Sequence, residues 1–119
     1  MDKDRIISVK NAEHYVWGNG SDGWHLLKNE DLSVIEERME PGTSEVLHFH
    51  KKAQQLFYIL SGEAGFESGQ TLIHLGAGET VHVPPGIPHR IFNNCDEDLR
   101  FIVISSPESH GDRWLMVDR

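Results

Sequence analysis

No stretch of this chain keeps an apolar period of 3.6; short apolar segments are instead cut at close intervals by glycine and proline. A helix needs apolar residues at i, i+3, i+4 and i+7, whereas short alternating runs between turn residues belong to strands. Strands are expected near Trp24–Lys28, Leu32–Met39, Val46–His50, Gln55–Leu60, Ala64–Glu67, Thr71–Leu75, Thr80–Val83, His89–Phe92 and Leu99–Ser105. Between them lie the turn signals Pro41-Gly42, Ser61-Gly62, Ser68-Gly69, Gly76-Ala77-Gly78, Pro84-Pro85-Gly86 and Asn93-Asn94. Many short strands at this spacing predict an all-β sandwich or barrel with little helix.

A length of 119 residues suits one domain, 1–119, and leaves no room for a second. Residues 1–22 read as an arm with one strand at most, 23–105 as the barrel, and 106–119 as a tail. The tail is polar except for Trp114, Leu115, Met116 and Val117 and is expected either to fold back over the barrel or to be partly mobile, with Glu108–Arg113 solvated rather than a lid. The net charge of −8 repels phosphate backbones, so nucleic acid is not an expected partner. No apolar run approaches bilayer-spanning length, so no membrane is expected either. The charged start Met1–Arg5 does not read as a signal peptide, and Cys95 is the single cysteine, so a reducing cytoplasm is expected.

Eight histidines are many for so short a chain. In a strand, side chains at i and i+2 share a face, so His48 and His50 project together and can reach one ion. Taken alone, a His-x-His is more often two surface residues. If the segment from Gln55 pairs antiparallel with that strand, Gln55, Phe57 and Ile59 line the same interior. His89 follows Pro84-Pro85-Gly86-Ile87-Pro88, where proline fixes φ and stiffens the turn that presents the imidazole.

The spacing then resembles the cupin superfamily. Its first motif is matched by Gly42, five residues, His48-Phe49-His50, four residues, Gln55, six residues and Gly62, with Gln55 standing where the family has glutamate. Its second motif is matched throughout by Gly78, five residues, Pro84-Pro85-Gly86, two residues, His89, three residues and Asn93. The resemblance implies a double-stranded β-helix, or jelly-roll barrel, with His48, His50, Gln55 and His89 as ligands of one divalent transition metal. It also implies a small-molecule ligand and, by family habit, a homodimer. Leu56, Tyr58 and Leu60 add an outward apolar stripe that a partner subunit could cover.

Glutamine in place of glutamate brings a neutral amide oxygen, so three imidazoles and one amide leave the ion's 2+ charge uncompensated. That favours Lewis-acid chemistry on anionic ligands and counts against a two-His-one-carboxylate oxygenase. Nitrogen-rich ligation suits zinc, nickel, iron or copper without choosing among them. Gln54 is a competing ligand, although the six-residue spacing to Gly62 favours Gln55. The leading expectation is a metal-dependent isomerase or lyase acting on a small polar or anionic substrate such as a sugar acid. A three-His iron dioxygenase and a binding module without turnover are the alternatives. No catalytic residue is singled out by the motifs. Phe57, Ile59 and Glu37 are expected at the pocket wall. Alternation sends either Glu37 or the Glu36/Arg38 pair inward, and an inward carboxylate could act as a base, though adjacent charges more often form a solvated face. His14, His25, His74, His82 and His110 have no motif slot and are expected to be structural or at the surface.

Overall fold

The computed structural model describes residues 6–116; the start Met1–Arg5 and the last three residues, Val117 among them, lie outside the described residues. Among the described residues, eleven strands run in chain order: β1 Glu13–Trp17, β2 Ser21–Lys28, β3 Ser33–Met39, β4 His48–Phe49, β5 Gln54–Ser61, β6 Glu63–Ser68, β7 Thr71–Gly76, β8 Thr80–Val83, β9 His89–Phe92, β10 Leu99–Ser106 and β11 Trp114–Leu115. They form two antiparallel sheets, ordered β1-β2-β3-β10-β5-β8 and β11-β4-β9-β6-β7. The fold is all-β, and no helix is present among the described residues.

Alternation sets what lies between the sheets. In β10, Leu99, Phe101, Val103 and Ser105 are buried, while Arg100, Ile102, Ile104 and Ser106 face the other way. In β5, Gln55, Phe57 and Ile59 point inward, and Gln54, Tyr58 and Leu60 are exposed. The apolar core is Met39, Phe57, Ile59, Ala64, Phe66, Leu75, Val83, Ile91, Leu99, Phe101 and Val103. It fills one part of the space between the sheets and leaves the rest to polar side chains. Ile59, expected at the pocket wall, is fully buried in this core and does not line the cavity.

Three strand pairings go beyond the local pattern, and the first of them corrects an expectation. First, β5 does not pair with β4: it lies between β10 and β8 in the six-stranded sheet, whereas β4 pairs with β9 and β11. The inward face of Gln55 therefore meets the histidines across the barrel. Second, the strand allowed for the N-terminal arm is β1, and it pairs with β2 in a hairpin closed at Gly18-Asn19-Gly20, with φ of 58° at Gly18 and 89° at Gly20. Both positive-φ positions of this three-residue loop are glycines, which adopt that conformation at no steric cost. Third, the C-terminal segment folds back onto the barrel, one of the two courses expected for it, as Trp114–Leu115 pairs with β4.

Two motif glycines have visible structural reasons. Gly62 has φ of 83°, and a Cβ there would come within 2.6 Å of the Asp98 carbonyl oxygen. Gly86 has φ of 85°, and its N–H donates to the His50 carbonyl at 2.6 Å. The proline-rich turn before His89 is thereby tied to the end of the His48–His50 segment.

Candidate metal centre

His48 and His89 are cross-strand partners on β4 and β9, and His50 follows β4 by one residue. Ring centroids lie 4.4 Å apart for His48–His89, 5.1 Å for His48–His50 and 5.4 Å for His50–His89. One nitrogen from each ring lies within 4.8 Å of the other two. All three residues are buried.

The backbone fixes which nitrogen faces the centre. Nδ1–H of His48 donates to Val46 O at 2.7 Å, that of His50 to Asp112 O at 2.5 Å and that of His89 to Ile87 O at 3.0 Å. Each Nε2 is left with a lone pair, the tautomer that a metal ligand requires. Burial holds the imidazoles neutral, pushing His48 down to about 3 and His89 to about 4, and His50 also falls below 6.5. Phe66 lies parallel to His89 with centroids 6.0 Å apart, and Phe57 meets the same ring edge-on at 5.9 Å.

Gln55 reaches this cluster from the opposite sheet. Its Oε1 lies 3.0 Å from His89 Nε2, while its Nε2 donates to Ser105 Oγ at 2.9 Å. Two lone pairs facing each other at that distance repel unless a cation or proton lies between them. Turning the amide over instead gives His89 a donor and lets the Ser105 hydroxyl donate to the amide oxygen. Buried His50 Nε2 has no hydrogen-bond partner among the described residues. Three neutral imidazoles, one amide oxygen within reach and an unpartnered buried nitrogen fit a divalent transition ion.

His48 and His50 open onto a cavity of about 660 Å³ lined also by Tyr15, Glu37, Glu45, Phe57, Val103 and Arg113, among others. Glu37 turns inward from β3, while Glu36 pairs with Arg100 at 2.8 Å and Arg38 with Asp22 and Asp98 on the outer side. The solvated face expected for these charges holds for Glu36 and Arg38 and fails for Glu37. Tyr15 donates its hydroxyl to Glu37 Oε2 at 3.0 Å. Burial raises Glu37 to about 7 against the opposing Tyr15 hydrogen bond and the Arg113 charge. Burial and the neighbouring Glu37 raise Glu45 to about 8, and burial also raises the Tyr15 phenol. Arg113 brings a guanidinium nitrogen to 3.5 Å from His48 Nδ1, which places one cation beside the cluster.

Gln54 faces outward and bonds His82 at 2.9 Å, so it does not compete with Gln55. His14 pairs with Asp22 on the outer surface, whereas His25 and His110, expected to be structural or at the surface, line the cavity. The sequence reading missed Tyr15, Glu45 and Arg113. Tyr15 and Arg113 arrive on terminal segments whose pairing no local pattern announces. Glu45 sits where the chain makes only an isolated bridge, Ser44 to Phe92, so strand alternation does not assign its face.

Two antiparallel sheets around a buried three-histidine cluster form a barrel of the double-stranded β-helix class. A cupin domain model matches residues 35–105, and the chain belongs to the cupin family. It is 30% identical over 89 residues to an uncharacterized protein of Streptomyces coelicolor, covering 73% of this chain and 83% of that one. It is 31% identical over 85 residues to an oxalate-binding protein of Thermotoga maritima, covering 67% of this chain and 70% of that one. A crystal structure of an uncharacterized double-stranded β-helix protein from Klebsiella pneumoniae superposes with a TM-score of 0.79 at 29% identity, covering 96% of this chain and 98% of that one.

Proposed function

We propose that this cupin is a metal-dependent enzyme of isomerase or lyase type acting on a small anionic substrate such as a sugar acid. The observation that carries the reading is a charge-neutral donor set, His48, His50, His89 and Gln55, beside a cavity with its own proton-transfer groups. When bound, a divalent ion supplies Lewis acidity undiminished by protein negative charge.

The chain's own residues do the rest. Arg113 holds a substrate carboxylate by charge-assisted hydrogen bonds. Glu37, raised to about 7, is poised to take a proton at a carboxylate oxygen and return it near neutral pH. Tyr15 positions Glu37 through the 3.0 Å hydrogen bond. Phe57 and Val103 supply apolar wall that keeps water from that side. The oxalate-binding relative supports a small carboxylate as the kind of ligand held here.

The relative's name also favours a second reading, a module that holds its ligand unchanged. Incubation of metal-loaded protein with a panel of unsaturated and keto sugar acids, followed by mass analysis, separates the two. A product that forms in the wild type and vanishes in Glu37→Gln supports the enzyme. Saturable binding with every ligand recovered intact supports the module, and turnover by metal-free protein refutes the metal-dependent reading.

We also propose a homodimer. Tyr58 and Leu60 are 39% and 37% exposed on the outer face of β5, and Leu56 and Tyr58 are registered beside Ile104 and Ile102 of β10. The five side chains give this sheet face an apolar stripe that a second copy would cover.

A further inference from the structure

Asp112 lies 62 residues beyond His50, on the segment before β11, yet it touches both ends of the metal-binding loop. Its side chain accepts three consecutive backbone N–H groups: Lys51 at 2.9 Å to Oδ1, and Lys52 and Ala53 at 2.9 and 3.0 Å to Oδ2. Trp114 Nε1–H adds a fourth donor at 3.3 Å. Although desolvation acts to raise this carboxyl, the three backbone bonds outweigh it and hold it at about 2. A carboxylate so bound is a fixed part of the loop.

The same residue's backbone carbonyl accepts the Nδ1–H of His50. That bond selects the tautomer and aims the unpartnered Nε2 into the cluster. By contrast, His48 and His89 donate their Nδ1–H groups to carbonyls two residues earlier in the chain, at Val46 and Ile87, just ahead of their strands. His50 alone takes its orienting bond from a distant segment. That segment is docked by the β11–β4 pairing, by Met116 N–H donating to Leu47 O at 3.0 Å and by Lys51 Nζ lying 3.9 Å above the Trp114 ring.

We propose that Asp112 is a positioning residue for His50: its carboxylate grips residues 51–53 so that its carbonyl can set the His50 tautomer, which makes the C-terminal segment part of the metal site. The inference rests on reading the three histidines as that site. A clamp of this kind binds metal and C-terminal segment as one unit. Loosening the segment costs metal affinity although no ligand is changed.

The test uses the full chain, with Asp112→Ala and Asp112→Asn beside the wild type. Zn²⁺ affinity is measured by competition with a chelator, and histidine tautomers of metal-free protein by ¹⁵N NMR. Asp112→Ala is expected to weaken Zn²⁺ binding by roughly ten- to a hundredfold, the usual cost of losing a ligand's orienting partner. The His50 ring should change from a pure Nδ1–H form to a mixture while His48 and His89 stay as they are. Amides 51–53 should exchange faster with solvent. Asp112→Asn keeps one acceptor oxygen, should fall between, and preserves the test if the alanine variant does not fold. Zn²⁺ affinity within twofold of wild type, with the His50 tautomer unchanged, overturns the role of Asp112. A wild-type chain that takes up no Zn²⁺ overturns the metal reading instead, and the tautomer then decides the Asp112–His50 contact by itself.

Discussion

His48 and His89 face each other directly across the β4–β9 pair, their rings 4.4 Å apart between centroids. One ladder position therefore brings two imidazoles together from residues 41 apart in sequence. His50, two residues on, shares the face of His48, and the third ring arrives with no further topological requirement. Replacing His50 or His89 by alanine should remove a ligand and lower Zn²⁺ affinity by about a hundredfold or more, with the barrel's β-sheet circular dichroism retained. Because burial keeps His48 and His89 neutral to about 3 and 4, affinity should level off above about pH 5 and collapse below it. Titration of metal release against pH checks this. Release centred on 6.5, the ordinary histidine value, would contradict it.

Gln55 supplies no charge. Gln55→Glu should raise metal affinity on the order of tenfold by adding a negative charge beside the ion, and should slow turnover by blunting its Lewis acidity. The Ser105 hydroxyl can turn to donate to the new carboxylate, so the packing is kept. Chelator competition and kcat measured together decide it, and weaker binding in the variant would place Gln55 outside the ligand set.

Glu37 carries a sign that can be worked out. Its folded value of about 7 stands above the ordinary 4.5, so the folded state holds this proton more tightly than the unfolded state. That contribution is fully present below 4.5 and is lost as pH rises through 7. Glu37→Gln, which can still accept the Tyr15 hydrogen bond, should therefore gain stability over wild type at pH 8 and little at pH 4.5. A one-unit difference between folded and unfolded values is worth about 1.4 kcal/mol, and a gain on the order of 1 kcal/mol is expected after allowing for water in the cavity. Urea unfolding at the two pH values measures it. The same variant should show no turnover at either pH.

Phe66 links core and site, being fully buried and lying parallel to His89. Phe66→Ala should cost about 3–5 kcal/mol of stability from lost burial and the cavity left behind. Its metal affinity should fall as well, because the His89 ring loses one wall. Guanidinium unfolding and chelator competition on the same sample test both.

The paired substitution Tyr58→Lys and Leu60→Lys puts two charges on the outer face of β5. The wild type is expected to sediment as a dimer and the variant as a monomer with its metal retained. A monomeric wild type would remove the dimer from the account.

Much of the barrel was legible because strand burial has period 2. The inward set Gln55, Phe57 and Ile59 follows from alternation alone, whichever strand β5 pairs with. Pairing itself was not legible. Nothing local shows that β5 joins β10 and β8 while β4 joins β9 and β11, since such partners are chosen by tertiary packing. The terminal segments were harder still. Tyr15 reaches the cavity because Gly18-Asn19-Gly20 turns the chain back, and Asp112 because Trp114–Leu115 adds to β4. Each contact depends on a long-range docking that composition does not encode. Glu37 was legible only as one of two parities, and packing against Tyr15 decided it.

The central claim is that one transition ion is held by His48, His50 and His89, with Gln55 at its side. Anomalous scattering from a crystal of Zn²⁺-loaded protein, recorded across the zinc edge, tests it most directly. One strong peak per chain is expected at the meeting point of the three Nε2 atoms. No peak there after loading, or the only peak at a site elsewhere on the chain, would contradict it.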